Sequence, residues 1–173
     1  MTTPPGDPKR LTPLSRATVD LERAYAEHRR HVFNYFRRTG MAPETADDLT
    51  QNVFTELVQS IGRYSPERGT LQSYLFGIAR NLRLVHGRRE RRTSWRESSG
   101  GVAPAPAPSR QAEDVAMVRE AVQGLPDDFR EALILREFHG LSYQEIATVQ
   151  DVPVGTVRSR ISRAREHLRT SLS

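Results

Sequence analysis

The strongest constraint on the fold is a pair of short amphipathic segments near the end of the chain, separated by a break of a few residues. Residues 141–147 read Leu-Ser-Tyr-Gln-Glu-Ile-Ala, and residues 154–161 read Val-Gly-Thr-Val-Arg-Ser-Arg-Ile. Val154, Val157 and Ile161 recur at spacings of three and four, the period of a helix with one buried face. The pattern predicts a helix-turn-helix, whose second helix can lie in a DNA major groove.

The residues around the break have the local chemistry of two helix boundaries. Ser142 is a good N-cap, and Glu145, three residues later, completes a capping box. Asp151 falls where the turn tends to require a positive φ, and Asp is one of the few residues that tolerates it. Pro153 suits the first position of the next helix, where no backbone donor is needed. These signals predict a turn at residues 150–152.

The exposed face of the predicted second helix has side chains that suit DNA. Arg158, Ser159, Ser162 and Arg163 lie off its apolar stripe. Arginine can bind guanine with two hydrogen bonds, and serine can pair with several bases or with a phosphate. The alternative for this segment is an ordinary amphipathic hairpin with a solvated basic face.

Composition narrows the class of protein. The 173 residues have a formal net charge of +5, and Lys9 is the only lysine, so nearly all of the positive charge is arginine. Arginine favours contacts with phosphates and base edges. The lack of cysteine excludes disulfides, thiolate chemistry and cysteine-based zinc sites. No apolar run approaches membrane-spanning length, and the first residues do not resemble a signal peptide, so we expect a soluble cytoplasmic protein without membrane insertion.

The chain is predicted to be all-α, with two small helical domains joined by a flexible linker. The predicted parts are a disordered tail at 1–17, a first domain at 18–96, a linker at 97–111 and a second domain at 112–173. Residues 98–109 are rich in Ser, Gly, Ala and Pro, the composition of a tether that is flexible at its start and stiffer in its Pro repeats.

Helical periodicity is clear in both predicted domains. The first domain is predicted to hold helices at 19–38, from Pro43 onward and at 71–91, with a loop at 64–69; helices at 112–123 and 127–138 precede the helix-turn-helix. The apolar stripes of the first two helices are Leu21, Tyr25, His28, Val32 and Phe36, and Ala46, Leu49, Val53, Leu57 and Ile61.

The third predicted helix becomes strongly basic toward its end. Its arginines there are Arg80, Arg83, Arg88, Arg89, Arg91 and Arg92. The run from residue 88 to residue 92 is most simply explained as a phosphate-binding patch. A solvated, charged helix end is the alternative.

Taken in order, these segments resemble the extracytoplasmic-function group of bacterial RNA polymerase sigma factors, across residues 19–170. Residues 46–54 resemble the family's core-polymerase-binding helix, and residues 71–82 resemble its −10 element helix. Residues 125–132 together with the helix-turn-helix resemble its −35 element domain. The resemblance implies a transcription initiation factor that binds core polymerase, directs it to promoters and assists promoter melting.

The resemblance also implies which residues bind the polymerase. The family's first domain docks on the β′ coiled coil, and its second domain binds the β flap. The corresponding docking residues here are Asp48, Leu49, Gln51 and Asn52. Asn52 departs from the family pattern, which more often has an acid at this position.

Two sets of DNA contacts follow from the resemblance. The −10 set is Arg68, Arg80, Asn81, Arg83 and Arg88, with residues 64–73 holding a flipped base, which needs a small pocket. Tyr74 stands where the family often has Trp and is predicted to be core. The −35 set is Ser142, Tyr143, Thr156, Arg158, Ser159, Arg160, Ser162 and Arg163.

The implied partners are core polymerase, promoter DNA and an anti-sigma factor, with no cofactor, no metal and no catalytic residue. One alternative is a stand-alone helix-turn-helix regulator, which would bind duplex DNA tightly without polymerase. Another is an enzyme such as a nuclease, using His28 and His31. No acid cluster or cysteine stands out to accompany that histidine pair.

Overall fold

The computed structural model describes residues 19–94 and 110–172, and the regular structure within those ranges is entirely helical. The all-α prediction is therefore confirmed. The predicted tail at 1–17, Trp95 and residues 97–109 of the predicted linker lie outside the described residues. The helices are α1 (Leu21–Arg38), α2 (Pro43–Ser60), α3 (Leu71–Ser94), α4 (Arg110–Gln123), α5 (Asp127–Glu137), α6 (Tyr143–Gln150) and α7 (Val154–Ser171).

Helices α1, α2 and α3 pack into a first unit around a shared apolar core. Each helix contributes one buried stripe, and the chain turns from α2 to α3 through two short 3-10 helices, Ile61–Arg63 and Pro66–Arg68. The largest core side chains of this unit are Val32, Tyr35 and Phe36 from α1, Val53 and Leu57 from α2, and Leu75 and Phe76 from α3.

The predicted stripe of α1 is wrong at its N-terminal end. Leu21 and Tyr25 are 38% and 42% exposed, whereas Ala24 and Tyr35 are buried. The ring of Tyr25 lies edge-on against Phe54 at 4.8 Å between centroids, so it covers the core from the outside. The face of α1 that points inward is therefore rotated toward Ala24 and Tyr35, and α5 also packs against this helix.

Helices α5, α6 and α7 form the core of a second unit, with α4 packed against α7. The capping box is confirmed: the backbone N–H of Glu145 donates to Ser142 Oγ at 3.2 Å, and that of Ser142 donates to Glu145 Oε2 at 2.9 Å. Asp151 ends α6 in the left-handed region, at φ 52°. Pro153 is the N-cap of α7 rather than its first residue, because its ψ of 148° is extended and the helix begins at Val154.

The two units lie in direct contact. Helix α6 packs against α3, and α5 packs against α1, so that buried residues of both units belong to one continuous apolar cluster. His139, in the bend after α5, is buried against Phe76 of the first unit, with 4.6 Å between the ring centroids. Gln72 on α3 donates a hydrogen bond to the carbonyl of His139 at 3.1 Å.

Candidate nucleic-acid interface

Helix α7 presents the predicted recognition face to solvent. Val157, Ile161 and Ala164 are buried against the rest of the second unit. On the opposite side Arg158, Ser159, Ser162 and Arg163 are exposed. Within the part of the chain that the structure describes, no ion pair engages either of these arginines. Both guanidinium groups are therefore available for a ligand.

Arg160 has different surroundings, because its side chain binds two residues of the second unit. Its two terminal nitrogens bind Asp128 of α5 at 2.7 Å and the side-chain oxygen of Gln150 at 2.8 Å. Its side chain is only 16% exposed. Arg160 lies about one turn after Thr156 and points toward α5. It therefore links α7 to α5 and α6 inside the second unit.

The other predicted −35 residues are partly occupied by local contacts. The Ser142 hydroxyl donates to Glu145 Oε2 at 2.8 Å within the capping box. Tyr143 is half-buried beneath the guanidinium of Arg136, which lies 4.9 Å from its ring centre. Thr156 is half-buried, and its backbone carbonyl accepts from the Ser159 hydroxyl at 2.8 Å. The exposed face is thus narrower than the predicted set of eight residues.

A cavity of about 380 Å³ lies between the α2–α3 connection and the first turns of α3. The predicted base-binding stretch at 64–73 supplies much of its lining, including Tyr64 and Arg68. The Tyr74 hydroxyl donates to the carbonyl of Ser60 at 3.1 Å, so Tyr74 is half-buried and fixes the floor of this region. Thr148 and Val149 of α6 line the same cavity from the second unit.

Two of the predicted −10 residues, Arg80 and Arg83, face the second unit instead of solvent. Arg80 Nε lies 2.9 Å from Oε2 of Glu131, and Arg83 Nη2 lies 3.2 Å from Oε1. The Tyr35 hydroxyl donates to Oε1 at 2.5 Å and Gln150 Nε2 to Oε2 at 2.9 Å. In this arrangement the two side chains are only 16% and 7% exposed, and their contact with a DNA strand stays a prediction.

Electrostatics keeps this buried cluster charged. Burial by itself would raise the pKa of Glu131, but Arg83, the Tyr35 hydroxyl, Arg80 and Gln150 outweigh burial and hold that pKa below its ordinary value. Burial raises the pKa of Tyr35 well above its usual range, with Glu131 adding to the shift, so its hydroxyl stays protonated and donates. An ionised carboxylate with four donors is the condition under which a buried charge is tolerated.

Sequence reasoning missed Glu131 and Tyr35 as functional candidates. Glu131 is fully buried, and the residues that follow it, 132–135, read Ala-Leu-Ile-Leu and are buried as well. An acid that opens such an apolar run is a signal of a buried, partnered charge, since Glu is almost never fully buried without a partner. Its arginine partners could not have been named, because they lie 48 and 51 residues away in another unit.

The remaining predicted −10 residues are exposed. Arg68, Asn81 and Arg88 all lie on the surface, and Arg88 Nε donates to the carbonyl of Leu84 at 3.2 Å. Asn81 also lines the cavity. Arg68 and Asn81 therefore flank one opening, while Arg88 lies two turns further along α3.

Helix α2 presents the predicted polymerase-docking face. Asp48, Gln51 and Asn52 are exposed, whereas Leu49 is only 7% exposed and supports the face from the core below it. Asp47, on the neighbouring side, binds Arg29 of α1 at 3.0 Å and accepts from Gln51 at 3.1 Å. Asp48 takes part in no ion pair within residues 19–94 and 110–172, which leaves its charge available to a partner.

The histidines considered for an enzyme do not assemble a site. His28 is half-buried, and burial lowers its pKa, while the ring of His31 lies 6.0 Å from that of His139. The described residues contain no group of three His, Cys, Asp or Glu side chains arranged to hold a metal ion. None of the helices that the structure describes is long and apolar enough to cross a membrane.

Family models match both units. Sigma-70 region 2 matches residues 24–93, and sigma-70 region 4 matches residues 116–168. An RNA polymerase sigma-H factor of Pseudomonas aeruginosa is 36% identical over 143 residues, which cover 75% of this chain and 74% of that protein. The ECF RNA polymerase sigma factor SigE of Mycolicibacterium smegmatis is 34% identical over 154 residues, which cover 85% of this chain and 59% of that protein.

A solved structure has the same fold. It is the sigma factor RpoE of Bartonella quintana, in complex with the anti-sigma factor NepR; the TM-score is 0.72, with 26% identity over 88% of this chain and 96% of that chain. Two helical units, the second a helix-turn-helix with an exposed recognition face, define a DNA-binding protein of the transcription machinery. The chain belongs to the extracytoplasmic-function group of the sigma-70 family, whose members are transcription initiation factors.

Proposed function

We propose that this protein binds core RNA polymerase and directs it to promoters by recognising a −35 element and a −10 element, and that it assists promoter melting. The observation that carries this proposal is that one chain of this family presents an exposed recognition helix, α7, and a cavity beside the first turns of α3. The first suits duplex DNA and the second suits an unstacked base.

The −35 contacts are assigned to the exposed face of α7. Arg158 and Arg163 can each bind a guanine edge or a phosphate, and Ser159 and Ser162 lie between them on the same surface. Ser142 and Tyr143, at the start of α6, are assigned to phosphates of the same site, because the first helix of a helix-turn-helix crosses the DNA backbone.

The −10 contacts are assigned to the surface around the cavity. Arg68 and Asn81 flank the opening, where an arginine can bind the backbone and an amide can pair with a base edge. The basic end of α3, including Arg88, is assigned to phosphates of the neighbouring duplex.

The polymerase-docking site is assigned to the exposed acid and amides of α2. Asp48, Gln51 and Asn52 form a polar surface over the buried side chain of Leu49. This chemistry suits a partner rich in arginine, as expected for the β′ coiled coil, while the second unit would bind the β flap. We further propose an anti-sigma factor as a partner, since the RpoE relative is described in complex with one.

The protein is proposed to be cytoplasmic and to have no catalytic activity of its own. In this mechanism the polymerase makes the RNA, and the chain supplies only binding energy and orientation. Every step assigned to it is a contact with polymerase or DNA.

The test is a pull-down of purified bacterial core RNA polymerase. Wild-type protein is compared with Asp48→Arg and with Glu22→Arg, a matched charge reversal at an exposed acid on α1. The proposal expects binding by wild type and by Glu22→Arg, and loss of binding by Asp48→Arg with unchanged helicity. No binding by wild type, together with tight sequence-specific binding to duplex DNA, would favour a stand-alone regulator instead.

A further inference from the structure

The first and second units are joined by a buried carboxylate that binds two arginines of the predicted −10 set. Glu131 belongs to α5 of the second unit, and it is bound by Arg80 and Arg83 of α3 in the first unit. Tyr35 of α1 donates to the same carboxylate, so two helices of the first unit hold one side chain of the second. In this arrangement the Glu131 side chain of α5 occupies donors of both arginines on α3.

A second set of contacts closes the cavity region. The hydroxyl of Thr70 donates to Oε1 of Glu145 at 2.6 Å, which ties the start of α3 to the capping box of α6. Thr148 and Val149 of α6 form part of the cavity wall. The same unit therefore covers both the arginines and one side of the cavity.

The chemistry of Glu131 resembles that of a nucleic-acid phosphate. A carboxylate offers two anionic oxygens to guanidinium groups, and arginine binds carboxylates and phosphates through the same planar set of donors. Arg80 uses its Nε on Oε2, and Arg83 uses Nη2 on Oε1. A phosphate oxygen and Glu131 cannot occupy these donors at the same time.

We propose that Glu131 is an autoinhibitory latch, which occupies Arg80 and Arg83 so that the −10 strand can bind only after the two units separate. This inference rests on the proposed function, because it takes the α3 surface to be the one that binds the DNA strand. Opening exchanges the carboxylate of Glu131 for a phosphate of the DNA, and the arginines keep an anionic partner in both states.

The latch acts on one DNA-binding surface and not on the other. Arg158 and Arg163 of α7 stay exposed in the closed arrangement, on a face that the first unit does not cover. The closed chain is therefore expected to bind single-stranded DNA weakly, while its recognition helix remains accessible to duplex DNA. Opening of the latch should therefore change the affinity for single-stranded DNA and leave the affinity for duplex DNA unchanged.

The separation of the units can be measured directly in the full chain. The protein has no native cysteine, so Val58→Cys on α2 and Met117→Cys on α4 place a dye pair on exposed positions of the two units. Energy transfer between the dyes is recorded for the wild-type background, for Glu131→Gln and for Glu137→Gln. Glu137 is the matched control, because it binds Arg165 within the second unit and is 44% exposed.

The same variants are titrated with a fluorescein-labelled single-stranded oligonucleotide of mixed sequence. If one chain in ten or fewer is open in the wild type, full opening tightens the apparent Kd by about tenfold or more, because apparent affinity scales with the open fraction. Glu131→Gln is expected to lower energy transfer and tighten binding, and Glu137→Gln to change neither. Adding Arg80→Ala and Arg83→Ala to Glu131→Gln is expected to remove the gain.

Tyr35→Phe is a second test of the latch, for the case in which Glu131→Gln does not fold and so loses its helical circular dichroism. That change removes one donor to the latch and keeps the ring packed between Phe36 and Phe76. It is expected to shift both readouts in the same direction by a smaller amount. Unchanged energy transfer in the folded variants, or lower transfer without tighter binding, would overturn the latch. No polymerase is present, so these results are independent of the pull-down that tests the proposed function.

Discussion

The arginines of α3 and those of α7 have opposite surroundings in the same protein. Arg80 and Arg83 are buried on Glu131, whereas Arg158 and Arg163 are exposed with no ion pair in the described residues. The side-chain chemistry of the two pairs is the same, so what separates them is an acid supplied by another unit. An arginine in this protein therefore indicates that an anion binds there. Whether that anion is a carboxylate of the protein or a phosphate of DNA depends on how the two units pack.

The same contrast occurs within α7 over two residues. Arg158 is exposed, while Arg160 is held by Asp128 and Gln150. A rotation of about 200° along a helix separates positions i and i+2, so the two side chains point to opposite sides. One is available to DNA, and the other connects the recognition helix to α5 and α6.

The largest expected effect comes from removing the acid of the buried cluster. In the closed arrangement Glu131→Gln leaves two largely buried guanidinium groups without a counter-charge, and separation of the units relieves this by exposing them to water. We expect a loss of up to about 3–5 kcal/mol in the free energy of unfolding. Glu137→Gln removes a solvent-exposed pair and is expected to cost less than about 1 kcal/mol. Urea denaturation of both variants measures the difference. Equal losses of unfolding free energy in the two variants would show that the buried ion pairs of Glu131 stabilise the protein no more than the exposed pair of Glu137.

Acid should weaken the contact between the units. Burial, followed by Arg38 and His31, lowers the pKa of His139 to about 4 from 6.5. The rings of Tyr35 and Phe76 lie 6.4 Å and 4.6 Å from its ring. Because the folded-state pKa is the lower one, this contribution to stability is complete above pH 6.5. It is lost progressively as the pH falls toward about 4.

The size of this effect is about 2 kcal/mol between about pH 7 and pH 5. The acid of the latch adds to it only at lower pH, since the pKa of Glu131 is held below 4.5 and its stabilisation is lost as the pH falls through that lower value. Urea denaturation at a series of pH values checks the sign. His139→Phe should flatten the dependence in this window, and an equally steep profile in that variant would contradict the assignment to His139.

Loss of an exposed arginine of α7 should weaken DNA binding without changing stability. Arg158→Ala and Arg163→Ala are each expected to cost about 1–3 kcal/mol in binding a −35 duplex if they contact bases. Arg165→Ala is the matched control, since Arg165 is bound to Glu137. Fluorescence polarisation with promoter duplex measures the change, and unchanged affinity for both variants would remove them from the recognition face.

Arg160→Ala should lower the stability of the protein and leave its affinity for DNA unchanged, and this effect should be smaller than those above. It removes hydrogen bonds to Asp128 and Gln150, and we expect the free energy of unfolding to fall by about 1–2 kcal/mol. Thermal denaturation measures this loss beside Arg158→Ala, which should leave the melting temperature unchanged. A variant of Arg160 that weakens DNA binding but keeps full stability would break the contrast between the two arginines.

Local signals in the sequence predicted much of the fold. The capping box of Ser142 and Glu145 and the left-handed Asp151 depend only on neighbouring residues, so they could be recognised without tertiary structure. The inward face of α1 could not, because Tyr25 and Tyr35 are both aromatic and both lie near a helical stripe. Tyr35 is buried among Phe36, Phe76 and Glu131, and Tyr25 lies against Phe54, so the exposure of each ring depends on residues distant in sequence as well as on near neighbours.

The sequence was enough to predict which types of residue form the candidate site, but not which of them are exposed. The exposed arginines of α7 follow from a stripe of period 3.6 within one helix. The state of Arg80 and Arg83 depends on a residue about 50 positions away, and no spacing rule connects them to Glu131. Polymerase docking through Asp48, and DNA contacts by the individual residues, stay predictions until the experiments above are done.

The most direct test of the account is the distance between the two units when core RNA polymerase is added to the dye-labelled protein, with the labels at Val58→Cys and Met117→Cys. The account predicts high energy transfer in the protein alone, and a clear fall when polymerase binds, because the latch must open before the −10 surface can be used. Full binding of polymerase with unchanged energy transfer would contradict it, since the units would then remain closed in the complex that recognises the promoter.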